Sequence, residues 1–378
     1  MKRLIAFVTS IVTLLVAAAA FAAEPLRIGA LFSVTGPASF LGEPEKNTLE
    51  MLVKQANARG GVGGRKLELV VYDTQGDVTK SVQLANKLIK NDRVSVIVGP
   101  STTGESMAVI TLAEKEKIPL ISCAAGIKIT EPVKKWVFKT PANDHVAVEK
   151  ILIQAARSKQ KNIAIITVSD GFGSSGREQL KAMAGKKGFR IVADEVYGPK
   201  DTDMTAQLTK IKSSRPDAII CWGTNPGPAI IARNVKQLGI KTPLYMSHGV
   251  ASKKFIQLAG ADAAEGIILP AGKLTVFDKL TKNDPQAKLL RDYDQAYRKG
   301  FGVEASTFGG YAYDAFLLIS NALKKGGAPA QLRDGLEQSR RVVSISGIFN
   351  MSPADHNGLD LSAFEMIRVT KGDWELVK

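Results

Sequence analysis

The residues best suited to chemistry in this chain are hydroxyls and bare backbone amides. Gly99-Pro100-Ser101-Thr102-Thr103-Gly104 follows one short apolar run, Val94 to Val98. Cys123-Ala124-Ala125-Gly126 follows a second, Ile118 to Ser122, about two dozen residues on. A serine or threonine ahead of a helix accepts the first orphan N–H groups, and those same groups hold an anion. Small residues after the second run let backbone approach closely whatever lies beyond it. Capping and anion binding are therefore expected at the same place.

A rival chemistry is written at Gly171-Phe172-Gly173-Ser174-Ser175-Gly176, a G-x-G-x-x-G between a strand and a helix, with Asp194 and Glu195 near the end of the next strand. By itself it describes the pyrophosphate turn of a dinucleotide-binding oxidoreductase. It lies mid-chain with no catalytic group in view, so the glycines are expected to serve a tight turn instead. His145, His248 and His356 show no i, i+4 pairing and no Cys-x-x-Cys accompanies them, so no metal site is expected. No nucleophile elbow is present, and neither an enzyme nor a cofactor is expected. Cys123 and Cys221, the only cysteines, fall in what read as different lobes, which favours two free buried thiols over a disulfide.

These segments must be positioned by something regular. From Leu26 short runs apolar on both faces alternate with helical patterns. Strands are expected at Leu26 to Ser33, Lys66 to Asp73, Val94 to Val98, Ile118 to Ser122, Trp136 to Thr140, Asn162 to Val168, Arg190 to Val196, Ala218 to Trp222, Leu244 to Ser247 and Gly266 to Leu269. Helices lie between them, among them Glu43 to Ala58, Glu105 to Lys115 and Ser174 to Lys187. Further helices and short terminal strands at Val342 to Asn350, Ala363 to Thr370 and Trp374 to Val377 complete the chain. Repeated strand, helix, strand implies right-handed crossovers, so the fold class is α/β with two doubly wound parallel-sheet lobes. Lys139-Thr140-Pro141-Ala142-Asn143-Asp144, a strand ending in proline and restarting as a capped helix, suits a crossing between lobes, and Leu269 to Lys273 suits a second.

Residues 1–22 read as a secretory signal peptide: Lys2 and Arg3, an apolar run from Leu4 to Phe21, then Ala20-Phe21-Ala22 before a cleavage after Ala22. No cysteine follows to carry a lipid, so a soluble periplasmic protein is expected. The 51 basic against 36 acidic residues give +15, or +13 without Lys2 and Arg3. The lysines are dispersed (Lys54, Lys87, Lys181, Lys236, Lys324) with no aromatic-basic motif, which argues against nucleic acid and for a solvated basic surface.

The run Asn57-Ala58-Arg59-Gly60-Gly61-Val62-Gly63-Gly64-Arg65 through Tyr72-Asp73, together with Val98-Gly99-Pro100, Ile118-Pro119-Leu120-Ile121-Ser122 and Phe138-Lys139-Thr140-Pro141, resembles the periplasmic solute-binding proteins of branched-chain amino acid ABC transporters. The resemblance runs from Leu26-Arg27-Ile28-Gly29 to Gly372-Asp373-Trp374. It implies the type I periplasmic binding fold, with three hinge strands joining lobe 1 (23–141 plus 272–345) to lobe 2 (142–271 plus 346–378). It also implies a monomer that closes around a small solute and delivers it to ABC permease subunits in the inner membrane.

By the same resemblance Thr103, with Gly104 beside it, matches the hydroxyl that holds the ligand carboxylate. Ala124 and Gly126 match a turn that usually offers a carbonyl and then a threonine, and the threonine is missing here. Asp170-Gly171-Phe172-Gly173 matches an Asp-x-Tyr-Gly turn, which puts Phe172 in the cleft. Where the family places an acid for the ligand ammonium, this chain has Met246-Ser247-His248-Gly249-Val250. A buried ammonium without a carboxylate costs several kcal/mol. The favoured ligand is accordingly a small monocarboxylate with an aromatic or apolar body. His248 would add a donor, Asn225 lies in the same cleft, and Phe40, Leu41, Phe172, Trp222 and Phe308 would form its apolar wall. The alternatives are a branched-chain or other neutral amino acid bound through carbonyls, and a sensor subunit that hands the same cleft to a signalling receptor.

Overall fold

Strands apolar on both faces must be covered on both faces, which short crossover helices accomplish when the strands run parallel. The computed structural model describes residues 24–377, and the expected signal peptide lies outside the described residues. The chain opens with β1 (Leu26–Phe32), α1 (Ser39–Ala58), β2 (Leu67–Asp73), α2 (Val78–Lys90), β3 (Val96–Val98), α3 (Thr103–Glu116), β4 (Leu120–Ser122) and β5 (Val137–Lys139). These five strands form one sheet in the order β2-β1-β3-β4-β5, parallel throughout. β3, β4 and β5 are three residues each, shorter than the apolar runs that announce them. Their side chains are fully buried, so the apolar run extends past the last ladder hydrogen bond.

The chain then builds a second sheet from α4 (Asp144–Arg157), β6 (Asn162–Val168), α5 (Gly171–Ala184), β7 (Arg190–Tyr197), α6 (Thr205–Ser213), β8 (Ala218–Trp222), α7 (Gly227–Gln237), β9 (Leu244–Met246), α8 (Lys253–Ala259), α9 (Ala261–Ala264) and β10 (Ile268–Gly272). It returns to the first lobe for α10 (Ala287–Phe301), α11 (Thr307–Ala322), α12 (Pro329–Glu337) and the strands β11 (Val342–Val343) and β12 (Ile348–Phe349). It finishes with β13 (Phe364–Thr370) and β14 (Asp373–Leu376) in the second. The second sheet runs β14-β13-β10-β9-β8-β6-β7. Its five central and right-hand strands are parallel, but β13 and β14 are antiparallel, so this sheet is mixed at one edge. The run Val342 to Asn350, expected as one strand, is a small hairpin apart from both sheets.

Three crossings join the lobes. The first follows β5 at residues 140–143 and the second follows β10. The third falls later than residue 346: Phe349 and Met351 are fully buried in the first lobe's core, and His356 stacks on Phe138 of β5 at 4.1 Å. The buried apolar side chains, not a change of composition, decide where the chain leaves the lobe. In that lobe α11 lies across α1, with Gly309 at the contact, where an added Cβ would meet the Tyr293 hydroxyl at 2.6 Å and Thr48 Oγ1 at 2.8 Å.

Candidate functional site

The carboxyl ends of β3 and β4 in one lobe face those of β6, β8 and β9 in the other, and a cavity of about 510 Å³ lies between them. Ligands of open α/β sheets bind at such ends. Thr103, Gly104, Ala124, Phe172, His248, Phe40, Leu41, Asn225 and Phe308 all line it. Gly126 and Trp222 do not. The structure also brings in Gln75, Asp170, Tyr197 and Tyr311, which sequence reasoning missed as a group. Asp170 was visible only as the first letter of a turn motif. Tyr197 ends a strand and Tyr311 sits on a buried helix stripe, both of which read as core.

On the first lobe, capping and cavity lining are divided between neighbouring threonines. Thr102 caps α3: its hydroxyl accepts the Glu105 N–H (3.3 Å) while Glu105 accepts the Thr102 N–H (3.2 Å), a reciprocal capping box. Ser101 turns inward, accepting from the Ser33 N–H (3.0 Å) and donating to buried Glu45, whose carboxyl is pushed well above its ordinary range by burial. Thr103 faces the cavity. Its Oγ1 accepts the Gly126 N–H at 3.3 Å, so its own proton is available to a ligand acceptor. The same contact explains Gly126: an added Cβ would sit 2.3 Å from Thr103 Cγ2, so no threonine fits there.

The apolar wall is aromatic. Phe40 and Phe308 meet edge to face at 5.6 Å, and Tyr311 continues the row at 6.1 Å from Phe308. Opposite them Phe172 packs on Trp222 at 5.7 Å and on His248 at 5.4 Å. Trp222 is therefore the support beneath the wall. The helix α5 starts three residues earlier than expected, at Gly171, with Asp170 as its cap accepting the Gly173 N–H at 2.8 Å. The glycines allow close packing within the helix: Cβ atoms on Gly173 and Gly176 would strike the Val168 carbonyl at 1.8 Å and the Trp222 ring at 2.3 Å. Asp194 is held by Arg177 (2.7 Å) and Lys181 (2.9 Å), so it is committed to a surface ion pair. Both cysteines are free and buried, Cys123 on the cavity wall and Cys221 in the second lobe's core.

Beneath the cavity a buried string of titratable groups crosses between the lobes. Lys139, at the end of β5, donates to the carbonyls of Ala125 (2.5 Å) and Gly126 (3.1 Å), so those carbonyls are already occupied. Burial lowers its ammonium to about 8, against the opposing pull of Asp144. Burial raises the Asp144 carboxyl to about 6, countered by Lys139 and by the Ser175 hydroxyl that donates to it. Asp144 Oδ1 stands 3.8 Å from His248 Nε2. Burial and then Lys139 push that imidazole down to about 3, so it is neutral. The second-lobe wall is thus not devoid of acid: Asp170 lines the cavity directly and Asp144 stands behind His248. Burial raises the Asp170 carboxyl, offset by the Gly173 and Phe172 N–H groups. Among the described residues no cluster of three His, Cys, Asp or Glu could hold a metal ion, and no helix is long and apolar enough to cross a membrane.

A family model described as "Periplasmic binding protein" matches residues 25–372. A Leucine-, isoleucine-, valine-, threonine-, and alanine-binding protein of Pseudomonas aeruginosa is 25% identical over 350 residues, 91% of this chain and 90% of its own length. A Leu/Ile/Val-binding protein of Rhizobium johnstonii is 28% identical over 344 residues, covering 88% of this chain and 90% of its own. Among solved structures, an extracellular ligand-binding receptor from Rhodopseudomonas palustris superposes with a TM-score of 0.87 at 30% identity, covering 93% of this chain and 99% of that one. A branched-chain amino acid transporter substrate binding protein of Streptococcus pneumoniae, in complex with isoleucine, superposes with a TM-score of 0.82 at 26% identity, covering 94% and 99%.

Proposed function

Because this chain belongs to the periplasmic binding protein family, of the branched-chain amino acid type, we propose that it captures a small carboxylate with an apolar or aromatic body between its lobes. In this reading it delivers that solute to the permease of an ABC importer. The observation that carries the reading is the pairing of Thr103 with Gly126. It leaves a hydroxyl proton and the first amides of α3 facing a cavity otherwise walled by Phe40, Leu41, Phe172 and Phe308. A carboxylate suits the first end and a ring or branched chain suits the rest. Lys139, buried behind the Ala125 and Gly126 carbonyls, adds positive charge on the same side.

A second reading, a neutral amino acid, is favoured by Asp170, whose carboxylate lies on the cavity wall and could receive an ammonium. A thermal-shift screen of aromatic and short aliphatic acids against amino acids decides between them, since ligand at a hundredfold over Kd adds about 2.7 kcal/mol to stability. A shift with acids that lack an amine supports the first reading, and shifts with amino acids alone overturn it.

A further inference from the structure

The second lobe's side of the cavity holds polar atoms that form no hydrogen bond among the described residues. Asn225 is 6% exposed and lines the cavity, and neither its amide nitrogen nor its carbonyl oxygen has a hydrogen-bond partner. His248 is 3% exposed, lines the same wall, and neither ring nitrogen is hydrogen-bonded. Their loops are fastened together: the Ser247 hydroxyl donates to the Gly223 carbonyl at 2.9 Å and accepts the Gly249 N–H at 3.3 Å. Buried donors and acceptors left without partners are costly and uncommon, so a pair of them in a cavity wall marks the place of a ligand group.

We propose that Asn225 and His248 form a subsite for an uncharged group that both donates and accepts a hydrogen bond, a hydroxyl at the end of the ligand remote from its carboxylate. The proposal rests on the carboxylate lying at Thr103. Its chemistry follows from what the two side chains offer. An amide and a neutral imidazole each present one donor face and one acceptor face. A second carboxylate on the ligand would accept only and strand the Asn225 oxygen. An ammonium would donate only and strand the Asn225 nitrogen. A hydroxyl satisfies one face of each kind. Burial keeps His248 neutral, so no fixed cation on this wall competes for an anion. The groups that face His248 are Asp144 from α4, Lys139 from β5, and the rings of Phe172, Trp222 and Phe364.

Calorimetry with two matched pairs tests this: 4-hydroxyphenylacetate against phenylacetate, and tyrosine against phenylalanine. The first pair lacks an amine and the second carries one, so the pair that binds reports on the carboxylate reading. The hydroxyl preference within that pair reports on the subsite. A site built around a hydroxyl discriminates strongly against the analogue lacking it. The expected result is at least tenfold tighter binding of the hydroxylated member by the wild type, and a ratio near one in Asn225→Ala. Equal affinities within the binding pair, or a ratio that Asn225→Ala leaves unchanged, overturn the subsite whichever pair binds. Should Asn225→Ala fail to fold, the wild-type ratio decides alone. Binding of none of the four overturns both the subsite and the carboxylate reading.

Discussion

Gly104 of one lobe and Gly171 of the other meet across the mouth of the cavity, so closely that a Cβ on Gly171 would lie 3.2 Å from the Gly104 nitrogen and 3.4 Å from Thr103 Cγ2. Both glycines sit in the first turns of helices, α3 and α5, whose positive ends therefore converge on the cavity. The lobes are joined at the same rim by the Ile127 N–H on Ser175 Oγ (3.1 Å) and by Lys128 with Glu178 (2.8 Å).

Gly171→Val puts two methyl groups into that contact. The variant is expected to hold the lobes apart, weakening ligand binding at least tenfold and abolishing the decrease in radius of gyration expected of the wild type on closing around ligand. Small-angle scattering with and without saturating ligand measures it. A wild-type profile identical in both conditions would count against lobe closure.

With the ligand carboxylate at Thr103, as proposed, Thr103→Ala would remove a hydrogen bond to a charged group, worth roughly 1.5 to 3 kcal/mol, so affinity is expected to fall about tenfold to more than a hundredfold. Gly126→Ala, which touches Thr103 Cγ2 at 2.3 Å, is expected to weaken binding by displacing that side chain. Adding Thr103→Ser, which deletes the offending methyl and keeps the hydroxyl, is expected to recover part of the loss. Calorimetry on the three variants checks this, and a double variant no better than Gly126→Ala refutes the mechanism.

Asp170→Asn preserves the helix cap, because asparagine caps as well as aspartate. For a ligand without an amine, removing this carboxylate is expected to leave affinity unchanged or raise it a few-fold. For an amino acid it should lower affinity tenfold or more. Competition binding with one ligand of each kind measures the difference, and a large loss for a simple acid would move the carboxylate away from Thr103.

His248 has its folded value depressed to about 3, below the usual range near 6.5. Its contribution to stability is therefore present above the unfolded value and is lost as pH falls from about 6.5 toward 3. Asp144, raised to about 6, acts in the opposite sense: its contribution is full below the unfolded value and is lost as pH rises through 6. His248→Gln removes the first and retains the second. The difference in Tm between variant and wild type is expected to move in the variant's favour as pH falls from 6.5, by the equivalent of on the order of 3 kcal/mol near pH 4. Melting curves across that range measure it, and a constant difference would show that the imidazole is not held neutral by burial.

Much of the architecture is legible in the amino acids because buried parallel strands leave a local signature: both faces apolar, ends marked by Gly, Pro and hydroxyls, as at Val96–Val98 and Leu120–Ser122. The antiparallel edge is not, since the direction of β13 depends on which strand receives it and not on its own residues. The cavity shows the same divide. The hydroxyls Ser101, Thr102 and Thr103 stand out because they cluster at a strand end, and the family resemblance picks Thr103 from among them. Gly126, in contrast, is explained by a contact with a residue 23 positions earlier. The acids near His248 escaped notice for a related reason. Asp144 begins a helix more than a hundred residues before it and reaches it only because that helix packs into the second lobe. Asp170 reads in the sequence only as the first residue of a turn motif, and the structure makes it both a helix cap and a cavity residue.

The route of the chain has a consequence for how the molecule is made. Most of the second lobe, residues 144–272, emerges as one continuous stretch, but its sheet and core are completed only when β13 and β14 bring in Ile367, Val369 and Trp374. The first lobe begins earlier: α1 must wait for α11, and the core around Leu49 and Val53 stays open until Phe349 and Met351 have been made. A vectorially emerging chain therefore carries its earliest helix without its helical partner for most of its length, an interval in which both lobes stay unfinished and are completed only by the last stretch of chain.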